Sequence, residues 1–83
     1  MGSMLSKQRF TVILGKNIRR IREEKGMTQD ELSAECNFYR TYINLVETAK
    51  RTPSSFSLYR IAKGLKVSIS DLYPKPAGPD SEE

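Results

Sequence analysis

Only two residues, Asn37 and Phe38, stand between an apolar stripe that closes at Cys36 and the next helical stretch, which begins at Tyr39 or Arg40 and turns Ile43 and Val46 inward. Both keep helical spacing, so the gap demands a tight turn between two short helices. Asparagine is one of the few side chains that tolerates a positive φ, which places the turn at Asn37. Upstream, Phe10, Leu14 (with Ile13), Ile18 and Ile21 recur at helical spacing, while Lys16, Arg19, Arg20, Glu23 and Glu24 take the opposite side. The pattern predicts one long amphipathic helix within residues 5–25, starting near Ser6 and ended by Gly26. Thr28 opens the second helix, and Glu31 three positions later completes a capping box. The third helix is expected from Tyr39 or Arg40 to Glu47. A polar, basic loop over residues 48–54, containing Pro53, leads to a fourth helix over residues 55–65, buried through Leu58, Ile61, Ala62 and Leu65. Ser68 or Ser70 is placed to cap a last short helix through Asp71, Leu72 and Tyr73. The predicted fold class is all-α, a compact bundle of four to five short helices.

A chain of 83 residues makes one domain with a modest core, for which self-association is the natural supplement. Met1-Gly2-Ser3 ahead of a second methionine reads as an expression scar, residues 5–73 as the domain, and residues 74–83 as a flexible acidic tail. The run Pro74-Lys75-Pro76-Ala77-Gly78-Pro79 cannot continue a helix. The lone cysteine, Cys36, cannot pair within the chain and fits a reducing cytoplasm. No apolar run has the length of a membrane span, and the N-terminus lacks the apolar segment of a signal peptide. Up to Tyr73 there are 13 basic and 7 acidic residues; the last ten carry one and three. A basic body suits a polyanionic partner. Histidine is absent, which removes the commonest general base and metal ligand. The acidic residues fall mainly in adjacent pairs, whose side chains point about 100° apart on a helix and do not converge on one reacting atom. Enzymatic activity, a metal and a cofactor are therefore not expected.

Two short helices joined by a tight turn, with an exposed polar side on the second, is the helix-turn-helix arrangement. The string from Ile18 to Leu32, IRRIREEKGMTQDEL, resembles the opening of the phage-repressor-like (Cro/C1, XRE-type) helix-turn-helix family. Arg40-Thr41-Tyr42-Ile43, Glu47, the basic loop to Pro53, and Ile61-Ala62-Lys63 through Val67-Ser68 extend the resemblance over residues 13–73. It implies a sequence-specific regulator of transcription bound to double-stranded DNA. Thr28 and Gln29 begin a helix whose free amides suit an anion, and the resemblance implies a phosphate contact at Gln29. Arg40, Thr41 and Asn44 fall on the outer side of the third helix, where side chains meet base edges. Tyr42 is open between a phosphate contact and packing on a neighbouring helix, and Leu45 between a thymine methyl and partial burial. Lys50 and Arg51 suit phosphates. The resemblance further implies a salt bridge between Arg22 and Glu47 that orients the third helix.

The sequence departs from the family pattern at four places. Tyr39 stands where a serine or threonine usually caps, Thr48-Ala49 replaces Arg-Gly, Ser33 replaces an alanine, and Lys66 replaces a common glycine. Arg40-Thr41-Tyr42-Ile43 also resembles restriction–modification controller proteins, a branch of the family whose members work as homodimers on paired sites. A homodimer is expected here too, through apolar surface at Leu58, Leu65, Val67, Ile69, Leu72 and Tyr73. No small-molecule ligand and no membrane partner are expected. An antitoxin-type module whose main partner is a protein is the alternative reading.

Overall fold

Four α-helices and a terminal 3-10 turn follow one another with brief connections: α1 Lys7–Glu24, α2 Gln29–Cys36, α3 Arg40–Glu47, α4 Ser55–Leu65 and the turn Ile69–Asp71. This computed structural model describes residues 6–75. The expected scar and residues 76–83 of the expected tail lie outside the described residues. Among the described residues no helix is long and apolar enough to cross a membrane.

Most helix ends have local chemistry that explains them. Ser6 Oγ accepts from the Arg9 amide at 3.1 Å and starts α1. Gly26 follows the end of α1 at φ 71°, a left-handed step that glycine takes without steric penalty. At α2 the Thr28 hydroxyl accepts from the Glu31 amide at 3.0 Å, and the Thr28 amide donates to Glu31 Oε1 at 2.8 Å. The capping box thus satisfies two amides that the helix itself leaves unpaired. Asn37 stops α2 in the left-handed region at φ 61°, and the Phe38 amide closes the turn on the Ser33 carbonyl at 2.9 Å. At the start of α3 Tyr39 makes no side-chain cap bond. Ser54 caps α4 through the Ser57 amide at 3.1 Å.

Leu14 and Ile18 of α1, Leu32 of α2, Ile43 and Val46 of α3, and Ile61 and Leu65 of α4 form one continuous core. Each such side chain contributes about 1.5–3 kcal/mol by leaving water. Two residues decide how closely the helices approach. A Cβ at Gly15 would stand 2.5 Å from the Val46 carbonyl oxygen and 2.7 Å from that of Glu47, so α1 touches the end of α3 only because residue 15 has no side chain. Arg60 of α4 donates to the Cys36 carbonyl at 2.9 and 3.1 Å and to the Asn37 carbonyl at 2.7 Å, while its guanidinium lies 4.1 Å from the Phe38 ring centroid. It therefore satisfies the carbonyls at the end of α2 and covers the turn.

The last described element differs from expectation. In place of a helix through Tyr73 there is a three-residue 3-10 turn, after which Leu72 is wholly buried. Asn17 of α1 donates to the Leu72 carbonyl at 3.0 Å and fastens this end to the bundle. Leu58, Leu65 and Leu72 keep 3%, 0% and 0% of their surface. These three, expected at an interface between protomers, are correctly assigned to the monomer's own core. The reason is geometric: α4 turns Leu58 and Leu65 into the bundle, and the 3-10 turn returns Leu72 to the same core. Val67 and Ile69 stay half-buried, and Tyr73 stays 39% exposed with its ring edge-on to Phe10 at 5.6 Å.

Candidate nucleic-acid interface

The second helical pair carries the polar groups that the sequence singles out. Thr28 and Gln29 lie at the start of α2, Arg40, Thr41 and Asn44 are exposed on α3, and Lys50 and Arg51 are exposed in the loop after it. The inward side of α3 is held by Ile43 and Val46, so its polar residues face outward by elimination. The Arg40 guanidinium stands 3.6 Å from the Asp30 carboxylate, a pair exposed on both sides and therefore weak and easily exchanged for another anion.

Behind this face sits a buried ion pair. Glu47 accepts from Arg22 Nε at 2.7 Å and from Arg22 Nη2 at 3.1 Å, and the two side chains keep 1% and 9% of their surface. Arg22 Nη1 also donates to the Met27 carbonyl at 2.6 Å. The hydrogen bond to Glu47 drives the guanidinium's pKa above its ordinary value, against the opposing pull of burial. The same carboxylate accepts from Gln29 Nε2 at 3.0 Å, and Gln29 Oε1 lies 3.5 Å from Asn44 Nδ2. The structure thus connects α1, the start of α2 and the outer face of α3 through one carboxylate.

The remaining candidates separate. Tyr42 is half-buried, its ring 4.7 Å from that of Phe38, and the Arg51 guanidinium lies 5.8 Å from the Tyr42 ring centroid. Its ring packs against Phe38, and Arg51 of the basic loop lies over it. Leu45 is half-buried. The loop turns at Ala49 with φ 64°, and the amides of Lys50 and Arg51 close on the Leu45 carbonyl at 2.8 and 3.2 Å. Sequence reasoning overlooked Gly15 and Arg60. A glycine inside an apolar helical stripe was the available signal for the first. The second had none, since its partners lie 23 and 24 positions upstream. Among the described residues no cluster of three His, Cys, Asp or Glu could hold a metal ion.

The helix-turn-helix model HTH_3 matches residues 18–72. The chain belongs to this helix-turn-helix family. The uncharacterized HTH-type transcriptional regulator y4dJ of Sinorhizobium fredii is 38% identical over 60 residues, covering 72% of this chain and 78% of that protein. Control protein C.BamHI of Bacillus amyloliquefaciens is 37% identical over 62 residues, with 74% and 76% covered. Among solved structures, the restriction-modification controller protein C.AhdI from Aeromonas hydrophila superposes with a TM-score of 0.75 at 27% identity, over 76% of this chain and 96% of that one. Within the helix-turn-helix frame, α2 and α3 are the two motif helices, joined by the turn at Asn37.

Proposed function

We propose that this chain is a restriction–modification controller, a sequence-specific regulator that binds a two-half-site operator as a homodimer. The observation that carries the DNA reading is the rigid backing of α3. A buried carboxylate ties the exposed polar face of that helix to α1 and to Gln29 of α2. Such a face is held in place before DNA arrives, so little ordering is required on binding. In this reading Arg40, Thr41 and Asn44 meet base edges, with Arg40 suited to the O6 and N7 of guanine. Thr28, Lys50 and Arg51 hold phosphates, as does Gln29 through its backbone amide at the start of α2, and Tyr42 supports the loop that carries Lys50 and Arg51. The likeness to control proteins such as C.BamHI supports the controller branch.

One recognition helix reads only a few base pairs, so specificity calls for two half-sites about 34 Å apart. With the three leucines assigned to the core, the dimer surface proposed here rests on Val67, Ile69 and Tyr73. Sedimentation at micromolar concentration is expected to give twice the chain mass, and a pure monomer at all concentrations would refute the dimer. Selection from a randomised duplex library is expected to return a two-fold-related sequence. Binding without sequence preference would refute the regulator reading as a sequence-specific one.

A further inference from the structure

The orientation of an amide group is a choice between two, and its surroundings decide which holds. At Gln29 the decision comes from a charge. Glu47, ion-paired with Arg22 through two hydrogen bonds, can accept and cannot donate. The Gln29 NH2 group, 3.0 Å away, must therefore face inward, which turns Oε1 toward Asn44. Asn44 can meet that oxygen only with its own NH2 group, at 3.5 Å. One acceptor, Oδ1, and one N–H of Asn44 remain free of this contact on an exposed position of α3. An acceptor beside a donor is the complement of the adenine edge in the major groove, where N6–H donates and N7 accepts.

We propose that Glu47, acting through Gln29, sets the amide of Asn44 so that it reads adenine. Glu47 and Gln29 are positioning residues in this scheme, and Asn44 is the specificity-determining one. The inference rests on α3 being the helix that enters the groove.

The experiment is selection of the full chain on a duplex library randomised across the half-site, read as base frequencies at each position. The wild type is expected to select adenine at one position per half-site. Asn44→Ala is expected to lower that preference about tenfold or more while the position read by Arg40 keeps its own. Asn44→Asp presents acceptors only and is expected to move the choice from adenine to cytosine, whose N4 donates. Gln29→Leu, which leaves the Arg22–Glu47 pair intact, is expected to relax the same position and no other. Thermal unfolding of each variant ensures that a folded protein is compared, and Asn44 is exposed enough to be replaced safely. An unaltered profile in Asn44→Ala or Asn44→Asp overturns adenine readout, and an unaltered profile in Gln29→Leu overturns the positioning. A wild type that selects no sequence at all overturns the broader reading of α3 instead, so the two failures are distinguishable.

Discussion

At the scale of single residues, Glu47 is the most consequential side chain, because three donors from two other helices end on it. Removing either member of a buried pair leaves the other charged, desolvated and alone. Arg22→Ala and Glu47→Ala are each expected to lose about 3–5 kcal/mol in urea unfolding. The double variant Arg22→Met, Glu47→Leu is expected to lose far less, since an apolar pair of similar volume carries no desolvation penalty. It should nevertheless bind DNA poorly, because Gln29 loses its anchor; full binding by a folded double variant would contradict the bracing role. Exposed pairs such as Arg19–Glu23 are worth only about 0.3–0.5 kcal/mol and explain nothing at this level. Cys36 is buried, and burial pushes its thiol above the ordinary 9.0. The unfolded chain then ionises first, so this residue's contribution is complete below pH 9.0 and declines as pH rises beyond it. Thiol labelling of the native protein at pH 8 should be slow and should accelerate on adding denaturant; rapid native labelling would contradict the burial.

At the scale of elements, helix ends and helix approach decide stability. Lys66 ends α4 at φ 62°, a conformation that costs a non-glycine residue about 1–2 kcal/mol. Lys66→Gly relieves that strain but loosens the unfolded chain, leaving a net gain of about 0.5–1 kcal/mol, which corresponds to several degrees in Tm. A fall in Tm would show that the lysine stem contributes packing that outweighs the strain. Gly15→Ala acts in the opposite direction. Its Cβ would press on two backbone oxygens of α3, which have no rotamer to adopt, and a loss of about 1–3 kcal/mol is expected. Because those oxygens belong to Val46 and Glu47, DNA affinity should fall together with stability.

At the scale of the whole molecule, a basic body with Lys50 and Arg51 exposed in the loop after α3 is expected to make DNA binding an ion-exchange process. A dimer that neutralises about six phosphates loses roughly a thousandfold in affinity between about 50 and 200 mM salt. Lys50→Ala removes one such contact per protomer and should lower the slope of log affinity against log salt by about two for the dimer, leaving the selected sequence unchanged. A slope equal to that of the wild type would place Lys50 away from the DNA.

The limits of the four α-helices, the two-residue turn at Asn37 and the family could be read from the sequence because they depend on local rules. Helical spacing, capping hydroxyls, and residues that accept or refuse a positive φ act over a few positions of chain. The outward placing of Arg40, Thr41 and Asn44 follows from the same periodicity. What tertiary structure decided is every matter of contact between distant segments. Leu58, Leu65 and Leu72 looked like surplus apolar surface, yet α4 buries the first two and the 3-10 turn returns Leu72 to the core. Gly15 matters only because the end of α3 lies against it, and Arg60 only because the end of α2 does. The orientation of Gln29 depends on a carboxylate 18 positions away. Spacing along a chain specifies which face a side chain occupies, whereas the group that meets it is determined only when the helices pack.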